Sequence, residues 1–433
     1  MRAIAAVLAV SLCAVWFVET GRAEEANWNQ FRGQRGDGST TAKGLPTKFG
    51  EGSPEIVWKT PVAGRAWSSP VVWGDQIWLT NAPEVQNTPK EKPKLDAPIA
   101  LSAVCLDLNT GRVIHDLKLF EFDTPQFTHA TNSYGSPTPF IEAGRVYIHF
   151  GSYGTACLDT KTGQKIWERL DLKCDHFRGP GSSPVVHGGL LYLTFDGYDQ
   201  QYITALDKLT GKSVWKQDRN IDFGTTDGDA KKGYSTPIII QAGGRELLIS
   251  PFAAATIAYD PKSGDPVWTV RHGGMNAAGR PLFGNGLVYI NSADGPNPLV
   301  AVNPEGEGDI TKNIAWKTNK SVPKRASQLL VGDLMFMMND GGVASCLNAT
   351  TGAEVWTKRF DDNYWASPLV ADGLIYCFSQ TGNIPVFKAG REFELVAENK
   401  LGDGFNASPA VAGRSLILRS KTHVYRIETP AAK

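Results

Sequence analysis

Apolar residues in this chain come in short runs that break at Gly, Asn, Asp or Pro. No stripe of period 3.6 persists long enough for a long helix. The pattern predicts many short strands joined by tight turns. One string recurs as Ala/Cys-x-Asp/Asn-x-x-Thr/Ser-Gly-x-x-x-Trp. It runs from Cys157 to Trp167, Ala205 to Trp215, Ala258 to Trp268 and Cys346 to Trp356. Cys105 to His115 keeps all but the Trp, and a stretched copy runs from Ala301 to Trp316. Each copy predicts a hairpin. A strand ends at Asp or Asn, whose side chain caps the turn amides; Gly takes the positive-φ position and a second strand follows. The Trp at its end offers a flat face to a neighbouring unit, so Trp167, Trp215, Trp268 and Trp356 are expected to be structural.

A second string precedes each hairpin: a small residue with Pro, an apolar strand, a Gly turn and another strand. Its prolines are Pro70, Pro137, Pro184, Pro237, Pro281, Pro368 and Pro409, with Gln328 in the remaining place. Pro fits the first position of a strand, where its missing N–H breaks no ladder bond. One interval is long because it holds the insertion Pro83 to Ala100, read as a mobile loop. The result is eight units of two hairpins. Four-stranded repeats at about 40 to 50 residues are the pattern of propeller blades. The last unit, Asn406 to Glu428, holds three strands, and a spare strand from Glu55 to Thr60 carries Trp58 in the repeat's Trp position. The expected fold is therefore all-β: an eight-bladed β-propeller of four-stranded antiparallel blades over 55–429. Closure by the N-terminal strand removes an exposed edge.

Residues 1–23 predict a secretory signal: Arg2, an apolar run from Ala3 to Val18, and small Gly21 and Ala23 before the cut. The run is shorter than the roughly 18 to 20 residues of a membrane span. Residues 24–54 form a lead-in to the ring. With 44 Lys plus Arg against 44 Asp plus Glu, nothing suggests a phosphate-tracking nucleic-acid binder. The expectation is an exported protein, periplasmic or extracellular, monomeric, with no membrane span once the signal is cut. Cys105, Cys157 and Cys346 stand where other units have Ala, and Cys377 lies on an apolar strand, so all four read as buried strand residues. Cys174 lies in a loop and reads as the thiol able to react.

The Trp-ended string resembles the PQQ-like repeat. That repeat builds eight-bladed quinoprotein dehydrogenases and the non-catalytic outer-membrane assembly factor B (BamB-like) propellers. The resemblance covers most of the chain from Trp58 onward, and Asn27 to Gly38 is similar to the lead-in of secreted bacterial members. It implies either a binding scaffold or an oxidoreductase using PQQ and Ca²⁺. Quinoprotein members carry adjacent cysteines beneath the quinone, and many a Cys-x-x-Cys-His haem motif; this sequence has neither. Their calcium-binding Glu and Asn and their catalytic Asp match no positions here.

Loops between the outer strand of one blade and the inner strand of the next emerge on one face, around the channel. Three residues before each Pro place stand Trp67, Tyr134, Gly181, Tyr234, Ala278, Arg325, Trp365 and Asn406, with Arg65, His176, Arg178 and Arg280 nearby. Such a ring either stacks a planar ligand, a sugar or peptide side chains, or packs on itself as a channel plug. A second group, Asp196, Asp199, Asp227 and Asp229, comes from two loops expected on that face. Four carboxylates suit Ca²⁺ or an acid–base pair, or are solvated turn residues beside Lys231 and Lys232. The leading expectation is a non-catalytic scaffold that presents its loop-lined face to an envelope protein or small ligand. A quinone-dependent oxidoreductase comes second, and a metal-dependent hydrolase at the aspartates third.

Overall fold

The computed structural model describes residues 27–84, 98–296 and 298–430. Residues 1–23, expected to be a secretory signal, and most of the insertion from Pro83 to Ala100 lie outside them. The described residues form eight antiparallel sheets, each with four strands from the repeat, and two short 3₁₀ turns, Gly228–Lys231 and Thr311–Asn313. Numbered along the chain, blades 1 to 8 begin with the inner strands Val71–Trp73, Phe140–Glu142, Val185–His187, Ile238–Ala242, Leu282–Gly284, Leu329–Val331, Leu369–Ala371 and Ala410–Ala412. Blade 8 takes its outer strand from the N-terminus: Ile56–Pro61 pairs antiparallel with His423–Glu428. The ring is thus closed by chain segments more than 360 residues apart, as Thr60 opposite Val424 illustrates.

The recurrent turn works as its residue types dictate. Asp207 Oδ1 accepts from the backbone N–H of Leu209 and Thr210 and from the Thr210 hydroxyl. Asp107, Asp159 and Asn348 repeat the arrangement. Gly111, Gly163, Gly211, Gly264 and Gly352 then sit at φ between 72° and 78°. The tryptophan of most hairpins hydrogen-bonds the turn of the next blade, whereas the Trp268 indole N–H is buried without a partner among the described residues. Trp58, Trp167, Trp215 and Trp316 donate their indole N–H to the carbonyls of Leu108, Lys208, Pro261 and Ala349. Apolar clusters span neighbouring blades, so the core is a set of wedges around the ring. Cys105, Cys157, Cys346 and Cys377 are free and buried within it.

Two sequence expectations change at this level. In blade 2 the strand begins at Phe140, so Thr138-Pro139 is the equivalent of Ser69-Pro70, two residues later than Pro137. A slip of two preserves the inside–outside alternation and is invisible to pattern matching. Cys174 is not an accessible loop thiol: it is 2% exposed, and burial raises its pKa well above the usual value. The stretched copy in blade 5 also has a use, since Gly308–Asp309 adds a short parallel strand to the outer edge of blade 4.

The lead-in runs through the channel. Trp28 exchanges two backbone hydrogen bonds with Val72 of blade 1, and the Asn29 carbonyl accepts from Ile141 of blade 2. On the far side the Gly38 carbonyl accepts from Val370, and Ser39–Thr40 pairs parallel with the inner strand of blade 7. These are the free inner edges of the blades. The segment satisfies inner-edge amides of blades 1, 2 and 7 and closes the channel beneath the loop-lined face.

Candidate channel-mouth site

Above the lead-in, the loops enclose a cavity of about 230 Å³. One residue from each blade, three before the Pro place, lines it: Trp67, Ser136, Gly181, Tyr234, Ala278, Arg325, Trp365 and Asn406. Each is half-buried. Seven match the sequence reading. The eighth is Ser136, because the two-residue shift in blade 2 moves Tyr134 out. Tyr134 is 3% exposed, donates to the Gln126 carbonyl and packs edge-on against Tyr153. Phe31 of the lead-in also lines the cavity.

A belt of hydroxyls holds these loops in register. The backbone N–H just before each Pro place donates to the hydroxyl at the same place in the next blade. The links run Ser69 to Thr138, Thr138 to Ser183 and Ser183 to Thr236. They resume from Arg280 to Ser327, Ser327 to Ser367, Ser367 to Ser408 and Ser408 to Ser69. The break falls where blade 5 has Arg280 in place of a hydroxyl. Arg280 is 2% exposed and not at the open mouth: its Nη1 donates to the Phe31 carbonyl at 2.6 Å and its Nη2 to Gln30 Oε1.

The open rim is rich in cations. Arg325 stacks on Trp365 with its guanidinium 4.2 Å from the ring centre and pairs with Asp340; Arg65 lies 5.2 Å over Trp67. Arg178 shares Asp229 with Lys232, which is buried behind the rim, and Lys324 pairs with Asp294 at 2.7 Å. Burial, then the Arg178 charge, brings Lys232 down to about 8. Burial, then the charges of Arg178, Arg325 and Lys232, depresses His129, so these groups converge on one region. Burial works against the Asp294 carboxylate, but hydrogen bonds from Lys324 and Asn276 hold it below the usual range. His176 lies apart from this rim. It is 5% exposed, its Nε2 accepts the Ser152 N–H at 2.9 Å, and burial brings it down to about 4.

The two aspartate loops do meet, as the Gly233 N–H bond to the Asp196 carbonyl shows, but their carboxylates diverge. Asp196 is buried in a two-pronged pair with Arg219 at 2.8 Å. Asp199 accepts from the Asp175 and Gln200 amides, and Asp227 caps Asp229. Asp229 turns to Arg178 and Lys232. Among the described residues no three His, Cys, Asp or Glu side chains gather as a metal-binding group.

Sequence reasoning did not find Phe31, Ser136, Asn132, Asn276, Asp294 or Lys324 in the cavity wall. Ser136 needed the blade 2 register, and Phe31 needed the path of a segment that has no repeat to align.

Comparison with known proteins gives the same picture. The outer membrane protein assembly factor BamB of Xanthomonas campestris is 26% identical over 210 residues, covering 48% of each chain. The 1-butanol dehydrogenase (quinone) of Thauera butanivorans is 25% identical, over 59% of this chain and 41% of that one. The chain thus spans about half the length of these curated relatives. The crystal structure of BamB from Moraxella catarrhalis superposes with a TM-score of 0.56 at 12% identity, covering 86% of this chain and 99% of that chain, a likeness of fold. The family described as outer membrane protein assembly factor BamB matches residues 99–215 and 199–429. The chain therefore belongs to this PQQ-like repeat family of β-propellers.

Proposed function

We propose that this protein is an exported, non-catalytic binding scaffold of the cell envelope, whose channel mouth receives a segment of a partner protein. One observation carries the reading. Eight blades each deliver one half-buried residue to a single closed-bottomed cavity, and stacked Arg–Trp pairs stand on its rim. Trp, Tyr and Arg in a partly desolvated setting are the residue types that dominate interface energetics. The BamB relatives favour a scaffold over an enzyme. A direct test places a photo-crosslinking side chain at Asn406, on the rim, and another at Leu209, exposed on a blade turn. Adducts with envelope proteins from Asn406 alone support the mouth; adducts from both alike refute it.

The dehydrogenase relative keeps a quinone reading in view. The residues present do not fit calcium-assisted quinone chemistry. The carboxylate in the cavity wall is Asp294, already held by Lys324 and Asn276, and a hard cation needs several oxygen ligands. The same mismatch counts against a hydrolase at the four aspartates. An absorption spectrum of the protein with PQQ and Ca²⁺ separates the readings, since a bound quinone chromophore would reverse this preference.

A further inference from the structure

Beneath the floor of the mouth, two arginines are enclosed in the channel. Arg32 is 1% exposed and Arg280 is 2% exposed. Arg32 comes from the lead-in and gives its Nη2 to the carbonyls of Asp37 and of Gln328 in blade 6. Arg280 comes from blade 5 and gives its Nη1 and Nη2 to Phe31 and Gln30. The turn from Gly33 to Gly38 wraps both guanidinium groups. A Cβ on Gly38 would come within 2.6 Å of Arg32 Nη2, and one on Gly36 would overlap the Arg280 guanidinium.

This wrapping leaves a surplus of donors and of charge. Arg32 Nε and Nη1, Arg280 Nε and both amide atoms of Gln328, Nε2 and Oε1, are buried without a hydrogen-bond partner among the described residues, so unpartnered donors outnumber acceptors. Neither arginine forms an ion pair with a described carboxylate. Asp37, whose charge acts on both, accepts the Ser39 N–H and hydroxyl with its Oδ1. Burial, then the Arg32 charge, brings Arg280 down to about 9, and burial brings Arg32 down to about 10; the Asp37 charge opposes both shifts without cancelling either. An isolated buried cation is costly enough that proteins supply it with an anion or a network of acceptors.

We propose that the channel binds a small inorganic anion of halide size between Arg32 and Arg280, with the Gln328 amide as a further donor. The anion neutralises the pair and fixes the lead-in. Since Arg280 also holds the Phe31 carbonyl, occupancy sets the floor of the mouth cavity. Blade 5 gives up its link in the hydroxyl belt to supply this cation, so Arg280 is a ligand-binding substitution within the repeat.

The test uses the mature protein crystallised from bromide. We expect an anomalous peak within hydrogen-bonding distance of Arg32 Nε and Arg280 Nε. In solution, at constant ionic strength, replacing methanesulfonate by chloride should raise the melting temperature by about 2 °C per tenfold chloride once the site fills. Arg280→Ser removes one cation and restores the hydroxyl, and it should abolish the chloride response. Arg280→Gln serves should the serine variant not fold. Water alone in the bromide map, or a chloride response unchanged in Arg280→Gln, would overturn the proposal.

Discussion

Gly264 of blade 4 turns directly beneath the indole of Trp215 of blade 3, so that a Cβ there would stand 2.5 Å from the ring's Cδ2 atom. The indole N–H donates at 3.1 Å to the Pro261 carbonyl of the same turn. The glycine of the turn and the tryptophan of the strand after it are therefore halves of one joint between blades. The same joint links Trp58 to Gly111, Trp167 to Gly211 and Trp316 to Gly352. Blade 1 departs from it: His115 and Leu117 lie against Gly163.

The joint makes a stability prediction. Trp215 is 8% exposed, and Trp215→Ala should cost about 3 to 5 kcal/mol, the usual range for deleting a buried aromatic side chain. Gly264→Val should also destabilise, because φ is +78° and the indole fills the space. Denaturant unfolding of both variants measures this. A midpoint unchanged in Gly264→Val would contradict the joint.

Removing the lead-in and removing the closing strand should differ. A protein starting at Gly50 keeps Ile56–Pro61 and should remain a closed, soluble ring with a lower melting temperature, since inner-edge amides of blades 1, 2 and 7 lose their partners. A protein starting at Val62 loses the outer strand of blade 8 as well. It should aggregate or melt without cooperativity, because an edge is exposed. Identical melting of the two would refute closure by the N-terminal strand.

The buried histidines set an acid response. In the folded protein His176 is held down to about 4 and His149 to about 3, in both cases by burial. The unfolded chain binds protons at these sites from about pH 6.5 downward, while the folded chain does not. Stability is therefore full above about pH 6.5 and falls as pH drops toward 4. His176→Gln should have a shallower decline between pH 6.5 and 4, read from urea midpoints across that range. A decline as steep as in the unaltered protein would remove His176 from this role.

The fold was legible because its information is local and repeated. Asp207, Gly211 and Trp215 carry the hairpin in a few residues, and the eightfold recurrence with a spare strand at Trp58 implies the ring. The mouth was legible to the extent that it follows the repeat, which gave Trp67, Tyr234, Arg325, Trp365 and Asn406. It failed at Tyr134, where Ser136-Pro137 precedes Thr138-Pro139 and either dipeptide satisfies the pattern. Arg280 and His176 were placed near the mouth, but their depth depends on the lead-in and on packing between blades 2 and 3. The four aspartates share a face as expected. Their carboxylates diverge because Arg219, Arg178 and backbone amides compete for them, and sequence spacing records no such competition.

The central claim is that the channel mouth binds a partner through its rim. The most direct measurement compares melting temperature and capture of envelope proteins for Trp67→Ala, Tyr234→Ala, Arg325→Ala and Trp365→Ala, with Tyr134→Ala as the buried control. The rim variants should melt close to the unaltered protein and lose capture together, while Tyr134→Ala loses stability by about 3 kcal/mol or more. Undiminished capture by all four rim variants, or melting losses in all four as large as in Tyr134→Ala, would contradict a binding mouth.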